Sequence, residues 1–276
     1  MLFEISQFAK TYAQTYNDRK VHCGHIGLNM KLFKFAVVFI CVAASVLFIL
    51  TAALLIRQNF NDVMINDSFT AMRSVERYSA SVSSAGFASR TSEKSAGYTC
   101  IEMLAQSLGQ TEITEQSLLE SNDDKDLTVS SAGMEKTLKD MFPSYTVTRR
   151  ANMKNSEMIE SIYNSLKNRI PVIVSLAQEV TPPEDDTESA ETLESEEFIL
   201  TYAVVRAMTL PENTVMVMYA DGTRKSLTTE DFLEATRFDN YKNMEFVKKL
   251  SVALGTNTKN TAYFLEKKPE VENDSK

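Results

Sequence analysis

The stretch FAVVFICVAASVLFILTAALLI, residues 35–56, contains 22 residues without a charge, a proline or a glycine. At about 1.5 Å per residue, a helix of this length spans ~33 Å, which matches the ~30 Å hydrocarbon core of a bilayer. A cleaved signal peptide would have a shorter apolar run followed by a small-residue cleavage site, and a buried core helix would show a polar face. The sequence therefore predicts an uncleaved transmembrane helix, with the signal peptide and the soluble helix as alternatives.

The charges on either side of this stretch predict its orientation. Residues 1–34 carry five Lys or Arg side chains and two acidic ones. Because basic segments stay on the cytoplasmic side, we expect a cytoplasmic arm (1–34), a transmembrane helix (35–56) and an extracytoplasmic remainder. Met30, followed by Lys31, would also serve as a translation start, since it leaves a short basic segment before the apolar run.

Composition excludes several functions for the part of the chain after the anchor. Residues 57–276 carry 24 basic and 35 acidic side chains, a net charge of −11, which argues against nucleic acid as a partner. Both histidines, His22 and His25, precede the anchor, and Cys100 is the single cysteine after it. The predicted topology thus leaves no imidazole for a Cys–His pair or a zinc site, and we expect neither a metal nor a cofactor.

The remaining chain divides by its patterning into three parts. Residues 57–95 end in a Ser-rich segment and are predicted to be a stalk. Residues 96–266 show amphipathic helices first and apolar strands later, which predicts an α+β domain. Residues 267–276 are predicted to be a disordered tail.

The segment 179–197 has nine carboxylates and no Lys or Arg. A run of this kind is typical of a solvated loop. The alternative is loose binding of calcium or of a cationic partner, although the acidic residues lack the fixed spacing of a calcium loop.

Four blocks of residues 96–236 occur in an order that is shared with a known family. They are MLAQSLG with TEQSLLE (103–109 and 114–120), IPVIVSL (170–176), FILTYAVVRA (198–207), and VMVMYADG with SLTTEDFLEAT (215–222 and 226–236). Together they resemble the papain-like domain of cysteine peptidase family thirty-nine, which includes the double-glycine leader peptidases of bacteriocin exporters and has a Gly-Pro-Val-Ile strand where this chain has Arg169 before IPVI. The resemblance implies a papain-like cysteine peptidase fold and a bacterial cell-membrane protein.

The resemblance also implies where the catalytic residues of the family would fall. The nucleophilic cysteine of the family corresponds to Ala96, its histidine to Thr201, with Tyr202 beside it, and its orienting acid to Asp221. The oxyanion-hole glutamine has no counterpart, since no Gln occurs between residues 59 and 104. Cys100 lies one helical turn after the nucleophile position.

With three catalytic groups replaced, the resemblance implies a degenerate domain that binds a peptide or a cell-envelope protein without cleaving it. The predicted contacts are Tyr98, Thr201, Tyr202 and Asp221, which would surround Ala96 in the cleft that corresponds to the active site of the family. One alternative is an active cysteine peptidase that uses Cys100; another is a structural or assembly subunit of an envelope complex.

Overall fold

The computed structural model describes residues 27–82, 88–90, 95–121, 131–180 and 197–269. The chain splits into two compact units, residues 1–53 and 54–276. The helices are α1 (Gly27–Ile65), α2 (Thr70–Arg73), α3 (Ala96–Ser107), α4 (Glu115–Ser121), α5 (Ser131–Met141), α6 (Asn155–Lys167), α7 (Thr229–Arg237) and α8 (Phe246–Ala253). The strands are β1 (Ser79–Ser81), β2 (Tyr145–Arg150), β3 (Val172–Val180), β4 (Glu197–Thr209), β5 (Thr214–Tyr219), β6 (Arg224–Leu227) and β7 (Ala262–Lys267).

Helix α1 contains the apolar stretch. Its most apolar 18-residue window has a mean hydropathy of 2.8, and none of that window is buried against the rest of the protein. The prediction of one N-terminal helix that is long and apolar enough to cross a membrane is confirmed.

The second unit is built on an antiparallel sheet with the strand order β2-β7-β3-β4-β5-β6, and β1 pairs with the far half of β4. Successive side chains of a strand point to opposite faces, and both faces of this sheet are covered by helices. Val172 and Val174 of β3 face a core that includes Ile162 of α6 and Phe232 of α7; we call this side the α6–α7 face. Ile173 faces a core that α3, α4 and α5 share, which we call the α3 face.

This arrangement confirms the α+β prediction. β3 is buried on both faces, as its unbroken apolar run predicts. The predicted start of α7 is also observed, since the Thr228 hydroxyl accepts a hydrogen bond from the Asp231 amide at 3.1 Å. α3 ends at Ser107, and Gly109 follows with a φ of +79°, the left-handed conformation that favours glycine after a helix.

The predicted stalk, residues 57–95, requires correction where it is described. β1 pairs Ser79 with Thr209, and the side chains of Tyr78 and Val82 are buried in the domain. The physical reason is that β4 extends beyond Val205, the partner of Val172 at the start of β3. The backbone groups of β4 that β3 leaves unpaired there form hydrogen bonds with Ser79–Ser81 as an added strand. The other parts of the stalk, 83–87 and 91–94, lie outside the described residues, as do the arm 1–26, the acidic segment 181–196 and the tail 270–276.

Candidate functional site

The position of the family's nucleophile is the first residue of α3. Ala96 is the first helical residue, and its neighbours Ser95 and Thr99 are fully buried. Tyr98, predicted as a contact residue, is 4% exposed and belongs to the α3-face core. This corner of the domain therefore holds a packed methyl group and a packed phenol ring where an enzyme of the family would hold a thiol.

Cys100 lies one turn further along α3 and is inaccessible. Its side chain is 0% exposed and packs in the core on the α3 face. Burial raises the pKa of the Cys100 thiol, because the low-dielectric interior disfavours the thiolate. A nucleophilic cysteine needs the opposite conditions, an accessible thiol whose pKa is lowered.

The structure does not bring Thr201 together with Ala96. Thr201 pairs with Leu176 across β3 and β4, and it shares the α6–α7 face with Ala203, two residues along. Tyr202 lies on the α3 face, half-buried, with its ring edge-on to Tyr263 at a centroid distance of 6.1 Å. Of these two neighbours, Tyr202 thus faces the α3 layer, whereas Thr201, which the resemblance places at the histidine position, faces away from it. Strand alternation alone would have shown that Thr201 and Tyr202 lie on different faces.

Asp221 lies at the tip of the β5–β6 hairpin and is held by specific hydrogen bonds. Its Oδ1 accepts from the Thr223 amide (2.8 Å) and hydroxyl (2.7 Å), and its Oδ2 accepts from Gln178 Nε2 at 2.8 Å. Partial burial raises the pKa of the Asp221 carboxyl, but these hydrogen bonds and the charge of Arg90 outweigh it, so the pKa lies below its usual range. The carboxylate is fixed in its charged form.

Gln178 is a residue of this corner that the sequence analysis missed. It is 7% exposed and follows the apolar part of β3, two residues after Leu176 on the α6–α7 face. A glutamine this deeply buried needs a hydrogen-bond partner, and Asp221 supplies it. The available signal was the polar residue that ends the apolar run of β3.

The segment before α3 is tied to the same hairpin tip. The Arg90 amide donates to the Ala220 carbonyl at 2.7 Å, and the Ser89 hydroxyl donates to the Asp221 carbonyl at 3.2 Å. Residues 88–90, which precede α3 in the chain, therefore lie against the Asp221 turn, whereas Cys100 and the Asp221 carboxylate are on different sides of the sheet.

A second polar cluster, absent from the sequence analysis, joins the end of α1 to the domain. Asn155, at the start of α6, donates from Nδ2 to Asn66 Oδ1 (2.9 Å) and to the Asp67 carbonyl (3.3 Å). Its Oδ1 accepts from Arg237 Nη1 (3.0 Å) and Asn260 Nδ2 (3.1 Å). Asn155 is 2% exposed, so this amide has all four of its hydrogen-bonding positions filled within the protein.

Ion pairs extend the cluster, which we call the junction network. Lys259 Nζ lies 2.8 Å from Asp62 Oδ2 of α1 and 3.4 Å from Asp239 Oδ1, and Asp239 also accepts from Arg237. The Lys259 side chain is only 11% exposed, so its charge needs these partners. These contacts thus hold residues 62–67 on the domain.

Beside the junction network lies a polar cleft of about 150 Å³. Its lining residues are Arg57, Gln58, Asp62, Asn152, Val252, Ala253, Leu254, Gly255, Thr258 and Lys259. Within the described ranges, no group of three or more His, Cys, Asp or Glu side chains comes together as a metal ion would need.

Comparison with known proteins gives no relative from which an activity could be transferred, because no protein-family model and no curated protein matches the chain. The function is therefore inferred from the site itself and from the resemblance of the four sequence blocks.

Proposed function

We propose that this protein is a single-pass membrane protein that displays a non-catalytic, papain-like domain on the extracytoplasmic side of the cell membrane. Its N-terminus is cytoplasmic, and the domain binds a peptide or a cell-envelope protein. The membrane part is supported by the apolar length of α1 and by the basic residues that precede it.

The observation that carries the non-catalytic assignment is the state of the one thiol after the anchor. Cys100 is 0% exposed, and burial raises its pKa. Next to the position that the resemblance assigns to the histidine, the β4 side chain that faces the α3 layer is that of Tyr202, and both histidines precede the anchor. An active peptidase that uses Cys100 would need an exposed thiol and a base beside it, so this alternative loses its support.

The binding assignment rests on the resemblance and on the corner at Asp221. A carboxylate that Gln178 and Thr223 hold in place is a preorganised acceptor for an amide or ammonium group of a peptide. Tyr202 lies on the other face of the sheet, against the α3 layer, so the binding assignment at this corner depends on Asp221.

The test uses the full chain in nanodiscs and a phage-displayed peptide library. We expect peptides selected on the unmodified protein to lose at least about 10-fold in affinity for Asp221→Ala, because one charged contact is worth about 1.5–3 kcal/mol. Asp140→Ala, an exposed acid of α5, is the matched control and should bind as the unmodified protein does. Cleavage of a peptide pool that Cys100→Ser abolishes would overturn the proposal, as would equal binding by both alanine variants.

A second candidate, an assembly subunit of an envelope complex, is favoured by the junction network. Residues 62–67 pack on the domain through this network, so this part of the chain is not a free stalk. Deletion of residues 182–194, which lie in the acidic segment outside the described residues, separates the two. Assembly driven by that segment would be lost, and peptide binding at Asp221 would survive.

A further inference from the structure

After the end of α1, the described residues expose large apolar side chains at one place on the domain. Among the described residues that follow α1, the exposed large apolar side chains are those of Phe246 (64%), Val247 (73%) and Leu254 (61%). Soluble surfaces carry single exposed apolar residues, but a contiguous apolar patch marks a contact with a protein or a membrane.

The three residues lie on one side of α8, and Leu254 is the residue that directly follows the helix. Phe246, Leu250 and Leu254 follow each other at intervals of four residues, and Val247 lies next to this row. On the other side of the helix, Val252 is buried in a small core with Ala177 and Phe238. α8 thus has two apolar sides, of which one is covered by the domain and one is open.

The open side lies beside the point where the chain leaves the apolar stretch. Leu254 lines the same cleft as Arg57 and Gln58, which directly follow the last apolar residue, Ile56. All of these residues belong to the second compact unit. If α1 spans a membrane, the bilayer surface passes close to Arg57 and therefore close to the end of α8.

The charges around the patch suit a lipid surface. Lys249 of α8 and Lys242 in the preceding turn are both exposed, and the exposed Glu245 next to Phe246 is paired with Lys248 at 4.0 Å. This region is therefore net basic, whereas residues 57–276 as a whole have a net charge of −11. An exposed apolar face with flanking lysines is the composition of helices that lie in the headgroup region, where the lysines meet anionic lipids.

We propose that the outer face of α8, formed by Phe246, Val247, Leu250 and Leu254, rests in the headgroup region of the bilayer that α1 crosses. The proposal rests on the membrane anchor of the proposed function. It gives the domain a second membrane contact besides the anchor.

The absence of tryptophan from the sequence makes a direct test possible. Single tryptophans are introduced into the full chain at Phe246, at Phe48 in the apolar stretch and at Ser226. Ser226 is exposed on β6, the edge strand at the opposite end of the sheet order from β2 and β7. Each variant is reconstituted into vesicles of phosphatidylcholine and phosphatidylglycerol, with or without bromine on the acyl chains.

We expect brominated lipid to quench F48W most strongly, F246W by about half as much, and S226W hardly at all. Quenching of F48W together with an F246W signal equal to that of S226W would overturn the α8 proposal and leave the anchor intact. An unquenched F48W would instead overturn the anchor, and the proposal with it. Should the F246W signal follow the number of protein copies per vesicle rather than the bromine content, the face binds a second copy, and the lipid proposal is wrong.

Discussion

Replacing Asn155 by alanine tests whether the junction network holds the domain together. The substitution removes the acceptor of Nη1 of Arg237, a residue that is 7% exposed. It also removes one of the two acceptors of Nδ2 of Asn260, which is fully buried. The two other partners, the Asn66 side chain and the Asp67 carbonyl, belong to residues near enough to the surface to bind water instead. Two buried donors, one of them charged, therefore lose a partner.

The expected loss in the free energy of unfolding follows from these two donors. An unsatisfied buried group costs about 1–3 kcal/mol, and more when it is charged, so the sum is about 3 kcal/mol. For a domain of this size, 1 kcal/mol shifts the melting temperature by about 2–4 °C, which predicts a decrease of roughly 6–12 °C. The transition of the full chain in detergent is followed by circular dichroism.

Asn164→Ala is the matched control, since it makes the same change in the same helix at an exposed position. We expect its melting temperature to stay within about 2 °C of that of the unmodified protein, because surface substitutions rarely change stability by more than ~0.5 kcal/mol. A second readout is trypsin cleavage at Arg73 and Arg77, which should accelerate in Asn155→Ala only, as the segment after α1 loosens. Equal melting temperatures and equal cleavage rates for the two variants would refute the structural role of the network.

Three further predictions concern single titratable groups. With the two other cysteines replaced by serine, Cys100 should react with a maleimide only after denaturation, and labelling at the same rate in the folded protein would contradict its burial. Burial, with a smaller effect of Asp221, raises the pKa of Tyr219 to about 12. An unfolded tyrosine loses its proton near pH 10, so stability should fall between about pH 10 and 12, and Tyr219→Phe should flatten this decrease in alkaline melting curves. The lowered pKa of Asp221 implies the opposite dependence: its contribution is present above the pKa of the unfolded chain and is lost as the pH falls through the folded pKa. Asp221→Asn should therefore reduce the acid dependence of stability, and an acid dependence equal to that of the unmodified protein would contradict this.

Local patterns in the sequence predicted most elements of the domain. The apolar run at 170–176 gave a strand buried on both faces, and Thr228 with Asp231 gave the start of a helix. Both depend on neighbours within a few residues, whose spacing the sequence states directly. The stalk was mispredicted at Ser79–Ser81 because a strand of three residues has no detectable period, and its partner, β4, lies about 130 residues further along the chain.

The surroundings of the predicted site residues could not be worked out from the sequence, for the same reason. Matching blocks placed Thr201 at the histidine position, but the face of a strand residue is set by alternation against known core positions such as Ala203. Gln178 escaped notice because its partner Asp221 is 43 residues away and is brought near it by the β4–β5 pairing.

The amino-acid sequence by itself determined the apolar helix, the mixed α+β class and the absence of histidine after the apolar stretch, since each follows from composition or from spacing over a few residues. Only the tertiary structure decided that Cys100 is buried, that Tyr202 rather than Thr201 faces the α3 layer, and that α1 ends on the domain. The Lys259–Asp62 pair shows why the sequence could not predict these features, because it joins residues 197 positions apart. Contacts over such separations depend on how the faces of helices and strands come together, and no local pattern in the chain contains that information.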